Sequence, residues 1–260
     1  MRIKQTVFCF LLASVLSLGA LPKNAHGFTE IGTGFIVTNY QSLITTFVLS
    51  LPADERPERY IDGYARLFDC DLVLEHFRNE FDWRNIRERI NRRINQIERE
   101  YFSYYEFIGT VDLGSYNFEA EVFPLHSGSQ LNGVRLLNVY RYPITMHQGQ
   151  QVCSHAFGGR SEQRIRNFLP TAFGVRLPSS IHVRQISMPP DVAENFVRSV
   201  ESDERGRRRV YLRFRIRLDA ISELRMDESV HPEVIFNGQV LELDVFADRD
   251  MNHHLAKLEI

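Results

Sequence analysis

Arg207-Arg208-Arg209-Val210-Tyr211-Leu212-Arg213-Phe214-Arg215-Ile216-Arg217-Leu218-Asp219-Ala220-Ile221 alternates with a period of two. In an extended chain Val210, Leu212, Phe214, Ile216 and Leu218 point one way, and Arg209, Tyr211, Arg213, Arg215 and Arg217 the other. The stretch therefore predicts a strand with one face in a core and a row of guanidinium groups on the other. That row has two readings. Arg209, Arg213, Arg215 and Arg217 can form a cationic surface for an acidic glycan, a lipid headgroup or a partner's carboxylates. Alternatively, the segment Val240 to Phe246, which turns Leu241, Leu243 and Val245 to one side and Glu242 and Asp244 to the other, lies alongside. Opposite charges then face each other across the strands, each pair adding about 0.2–1 kcal/mol.

Outward from this strand the pattern predicts more sheet. Val234-Ile235-Phe236 and Val240 to Phe246 flank Asn237-Gly238, a strong hairpin signal. Glu106 to Leu113 and Tyr116 to Leu125 read as strands joined at Gly114-Ser115, and Val134 to Tyr142 as a third. Ile181 to Met188 is a strand whose alternation slips between Val183 and Ile186, as a bulge would cause. Pro189-Pro190-Asp191 opens a short helix with Val192, Ala193, Phe196, Val197 and Val200 on one face. Residues 143–180, rich in Pro, Gly, Ser and Gln, assign to no element.

Before Tyr105 the period is helical. Tyr40, Leu43, Ile44, Phe47, Val48 and Leu51 follow the spacing of a helix buried on one side, capped at Thr38 or Asn39 and ended by Pro52. A second helix starts near Pro57, with Cys70 at its end. A third region runs from Asp71 to Tyr104 with a break near Asn79, and its stripe is Trp83, Ile86, Ile90, Ile94, Ile97 and Tyr101. The arginines on its other faces (84, 87, 89, 92, 93, 99) suit either an anionic membrane surface or a solvated face offset by Glu88, Glu98 and Glu100. The expected fold is α+β, with N-terminal amphipathic helices packed on a mostly antiparallel C-terminal sheet with one short helix. Residues 28–260 are expected to form a single domain, mainly helical over 28–104 and mainly strands over 105–260.

The first 27 residues read as a secretory signal peptide. Arg2 and Lys4 precede an apolar run, and Ala25-His26-Gly27 suits cleavage before Phe28, with an earlier cut after Ala20 as the alternative. The run is shorter than the roughly 20 residues a membrane-spanning helix needs. Residues 1–27 carry three cations and no acid, so their removal takes the formal charge from −2 to −5. An acidic exported chain is a poor general nucleic-acid binder. The expected localisation is periplasmic or secreted, with no transmembrane segment left after cleavage. Cys70 and Cys153 remain, and an oxidising compartment favours a disulfide between them over two separate buried thiols.

Catalytic signatures are absent: no Gly-x-Ser-x-Gly, no His-Glu-x-x-His, no phosphate-binding loop and no Cys-x-x-Cys. Neither the cluster His147, Cys153, His155 nor the adjacent pair His253-His254 has the spacing of a standard metal site, so no metal and no cofactor is expected. Asp112, Glu119 and Glu121 are acids that the fold could bring together for acid–base work.

Several stretches resemble DUF4852, a family of exported bacterial proteins known only as a domain of unknown function. They are Ile61 to Cys70 (IDGYARLFDC), Asn79 to Arg87 (NEFDWRNIR), Leu113 to Phe118 (LGSYNF) leading to Phe123-Pro124-Leu125, and the Met188-Pro189-Pro190 helix with the Arg-rich strand after it. The likeness covers most of residues 40–220, rests on apolar and turn residues, and implies no activity. The expectation that follows is a secreted or periplasmic binding or envelope-associated module without enzymatic activity, its partner an envelope protein or an acidic ligand. The alternative is a hydrolase acting on envelope material through acidic residues.

Overall fold

The computed structural model describes residues 30–31, 34–97, 99–129, 131–141, 169–200, 207–225 and 233–260. The expected signal peptide and the cluster His147, Cys153, His155 lie outside them. The described strands are β1 (Glu30–Ile31), β2 (Phe35–Val37), β3 (Tyr104–Leu113), β4 (Val122–Pro124), β5 (Leu131–Arg141), β6 (Ala172–Val183), β7 (Gln185–Ser187), β8 (Arg208–Arg225), β9 (Glu233–Phe246) and β10 (His254–Leu258). The helices are α1 (Tyr40–Ser50), α2 (Glu58–Phe68), α3 (Cys70–His76), α4 (Glu80–Asn95) and α5 (Pro190–Ser199), with a 3-10 turn at Glu100–Ser103.

The fold is α+β. Its main sheet has the order β1-β2-β3-β8-β9-β6-β5, with β10 also on β9, and β4 and β7 form a second, two-stranded sheet. β8 is the spine, antiparallel to β3 on one side and to β9 on the other. β2 with β3 and β6 with β9 are the parallel pairs. The free side of β9 is shared, with its first residues bonded to β6 and its last to β10.

The alternation along β8 decides which face is dry. Val210, Leu212, Phe214, Ile216 and Leu218 are each at most 3% exposed. Phe214 stacks on Phe107 of β3, centroids 4.6 Å apart and rings 4° from parallel. Each such side chain contributes roughly 1.5–3 kcal/mol through burial.

α1 departs from the one-sided helix expected. Eight of its residues are buried, among them Ser42, Thr45 and Thr46. Its hydroxyls bond back to the helix, Thr45 Oγ1 to the Gln41 carbonyl at 3.0 Å and Ser50 Oγ to the Thr46 carbonyl at 2.8 Å, so polar side chains cost little inside. Tyr105 of β3 reaches across to donate to the Ser42 carbonyl at 3.0 Å. Asn39 caps α1 in a reciprocal box with Ser42, an arrangement worth about 1 kcal/mol.

The expected break near Asn79 is present. Asn79 caps α4 by accepting from the backbone N–H groups of Phe81 and Asp82, and Trp83, Ile86, Ile90 and Ile94 are each at most 4% exposed. Cys70 opens α3 instead of ending α2, because the backbone leaves helical geometry at Asp69.

Three strand expectations are corrected. Asn237-Gly238 is no hairpin turn: β9 runs through it, with Asn237 beside Arg176 and Gly238 beside Leu218. A Cβ on Gly238 would sit 2.5 Å from the Arg217 carbonyl oxygen and 2.7 Å from Val175 Cγ1, so the glycine answers a close approach of three strands. Tyr116 to Leu125 is not one strand, because Asn117 Oδ1 accepts from the Glu119 and Ala120 N–H groups and folds a turn ahead of β4. The strand expected at Ile181 begins at Ala172 and stops at Val183, where the chain passes through Arg184 into the smaller sheet as β7.

Candidate functional site: the arginine and carboxylate face of the sheet

Alternation on β8 places Arg209, Arg213, Arg215 and Arg217 on the outer face of the main sheet. The same period on β3 sends Glu106 and Asp112 to that face, opposite Arg215 and Arg209. β9 supplies Asp244 opposite Arg213 and Glu242 opposite Arg215. The structure thus brings the four predicted arginines together and gives each a carboxylate.

The centre of the face is a continuous network. Arg215 donates from Nε to Glu106 at 3.0 Å and from a terminal nitrogen to Glu242 at 2.8 Å. Arg213 donates to Asp244 at 2.9 Å and lies 3.9 Å from Glu106. His254 Nε2 is 3.4 Å from Asp244, and Lys257 Nζ 3.5 Å from Glu242, both from β10. Arg215, Arg213 and Lys257 therefore balance Glu106, Glu242 and Asp244. Aromatic rings cover part of it, Phe35 under Arg215 at 5.0 Å and Phe246 under Arg213 at 4.9 Å.

Burial grades the row. Glu106 is 3% exposed, and the Arg215 side chain 12%. The outer members are wetter: the Arg209 side chain, paired to Asp112 at 3.1 Å, is 62% exposed, and that of Arg217, paired to Asp219 at 3.1 Å, is 42% exposed.

Proton affinities follow the pairing. The hydrogen bond from Arg215, more than any other influence, holds the Glu242 carboxyl below the ordinary carboxylate range. Burial by itself pushes Asp244 up, but Arg213 and His254 together outweigh it and hold that carboxyl low. Burial likewise pulls the Arg215 guanidinium down, while Glu106 and Glu242 together raise it. At Glu242, Asp244 and Arg215 the neighbouring charges thus favour the ionised form.

The remaining candidates lie elsewhere. Glu119 and Glu121 are exposed on the turn before β4, apart from the network. His253 is bonded to Asp248 at 2.9 Å, so the adjacent histidines turn to different carboxylates. Among the described residues no three His, Cys, Asp or Glu side chains gather into a possible metal set. Among the described residues no helix is long and apolar enough to cross a membrane. Cys70 is engaged in an interaction of its own, and Cys153 lies outside the described residues.

Glu106 is the residue of this face that the sequence does not single out. It is separated from Arg215 by 109 positions, and its outward orientation follows only from the register of β3 on β8. Its one local signal is a lone acid in the apolar run Tyr104-Tyr105-Glu106-Phe107-Ile108.

Fold and face together define an α+β protein built on a mixed sheet, with its outer charges paired among themselves. The chain belongs to the family described as a domain of unknown function (DUF4852), which matches residues 57–199, more than half of its length. The match runs from the end of the α1–α2 connection through α5 and ends before the Arg-rich strand, which lies outside the matched span. No curated protein and no solved structure matches the chain.

Proposed function

We propose that this protein is an exported binding module of the cell envelope that carries out no chemistry of its own. The reading rests on a signal-like N-terminus, on the resemblance to exported proteins and above all on the sheet-face charges being paired among themselves. A hydrolase working through acids needs one carboxyl that keeps a proton at the working pH, which takes an apolar or like-charged surrounding. Glu242 and Asp244 are drawn the other way by Arg215, Arg213 and His254. The same pairing cancels the attraction of the arginine row for outside anions. In this reading the row holds strands in register, and ligand contact falls on other surfaces.

Export carries a second element, a disulfide between Cys70 and Cys153. It would close a loop of about 83 residues, worth roughly 3–5 kcal/mol on the chain-entropy account. The engaged state of Cys70 supports it.

Two measurements test the proposal. Mass spectrometry of the protein recovered outside the cytoplasm should find a chain beginning near Phe28 and a Cys70–Cys153 peptide in a non-reducing digest; an intact Met1 in the cytoplasmic fraction contradicts export. Incubation with isolated envelopes should give co-sedimentation without released soluble fragments. Time-dependent release that disappears in an Asp112→Asn, Glu119→Gln or Glu121→Gln variant would establish the hydrolase instead.

A further inference from the structure

The outer side of α4 departs from the pairing rule of the sheet. Arg87 of α4 is held by Asp62 through two hydrogen bonds of 2.8 and 3.0 Å and by Glu58 at 2.6 Å. Arg84 lies 3.7 Å from Glu88, and Arg93 pairs with Asp69. Arg89 and Arg92 have no ion pair or hydrogen bond of their side chains among the described residues. Both are exposed, and both line a groove of about 440 Å³ between the end of α3 and the first turns of α4.

Asp82 and Glu88 line the groove beside the two arginines, and each of these carboxylates has a partner of its own. Asp82 accepts from the Asn79 side chain at 2.7 Å and sits in the first turn of α4, where a carboxylate is already favoured. Glu88 faces Arg84. His76 and Asn85 add polar atoms at the wall, and Ile86, 4% exposed, closes the floor. Residues three apart share one helix face, so Arg89 and Arg92 present two planar forks in the same direction.

We propose that this groove is an anion site, in which Arg89 and Arg92 take the carboxylate or phosphate group of a ligand while Asn85 and His76 supply further hydrogen bonds. The inference rests on the binding-module reading for the ligand's location outside the cytoplasm, and names its chemical class. A guanidinium pair matches the two-oxygen edge of either oxyanion. A free metabolite and a lipid headgroup present the same chemistry at this groove.

Isothermal titration and amide NMR on the exported chain distinguish these sources, with inorganic phosphate and citrate as soluble probes and phosphatidylglycerol vesicles as the lipid probe. Saturable binding of a soluble probe, with shifts at residues 85–92, supports a small anionic ligand. Binding to vesicles alone supports a headgroup. In either case Arg89→Gln and Arg92→Gln should each weaken binding by about tenfold, as expected for a charge-assisted hydrogen bond. Arg249→Gln, the same charge change on a distant turn, should leave it intact. Both arginines are exposed, so thermal unfolding should not move. No binding of any probe, or binding unaltered in the Arg89→Gln/Arg92→Gln double variant, overturns the anion site. Envelope co-sedimentation that persists in that variant would leave the module reading standing without it.

Discussion

Glu106 and Arg215 show how much burial decides at the scale of a residue. Both are nearly sealed, so removing one partner leaves the other as a charge without water, and breaking such a pair costs about 3–5 kcal/mol. Arg209 and Asp112 have a similar separation, but water screens them, and exposed pairs contribute less than about 1 kcal/mol. Urea unfolding should therefore show Arg215→Met losing roughly 3 kcal/mol and Arg209→Met less than about 1. Equal losses would mean that exposure does not grade the row. The alternation of β8 and the acids of β9 were legible in the sequence because period two is a local property. Glu106 was not, because which β3 residue faces Arg215 depends on a register set by distant packing.

At the scale of an element, β9 is where local chemistry and tertiary structure part. Asn-Gly between two apolar runs favours a tight turn in isolation. Here strands on both sides supply the hydrogen bonds, and Gly238 is required because the Arg217 carbonyl and the Val175 methyl leave no room for a Cβ. Gly238→Ala should destabilise by about 1–3 kcal/mol, as overpacking does, readable as a lowered urea midpoint with an unchanged slope. A neutral result would mean the three strands can separate there without cost. The helices were more legible: the stripe on α4, a cap at Thr38 or Asn39 and a break near Asn79 are local signals, and the structure puts the caps on Asn39 and Asn79. The all-round burial of α1 was not, since its hydroxyl residues look polar until their bonds to the helix carbonyls are seen.

For the whole molecule the network joins β3, β8, β9 and β10 across the middle of the sheet, so its protonation bears on global stability. The Asp244 and Glu242 carboxyls lie low in the folded state. Their contribution is in place above the unfolded carboxylate range of about pH 4, and is lost as pH falls through the depressed folded values. Unfolding free energy should thus be flat with respect to these groups at neutral pH and fall in acid, and Asp244→Asn should flatten the acid limb. An acid limb unchanged in that variant would place the acid sensitivity elsewhere.

The charges of the arginine row are paired from within the sheet. The most direct test is a double-mutant cycle on Arg215 and Glu106, with urea unfolding of Arg215→Met, Glu106→Gln and the double variant. Residues in one buried ion-pair network couple by about 0.5–3 kcal/mol, and the predicted coupling lies in the upper part of that range. Strictly additive losses would contradict the account, and would return the row to the role of a cationic surface open to ligands.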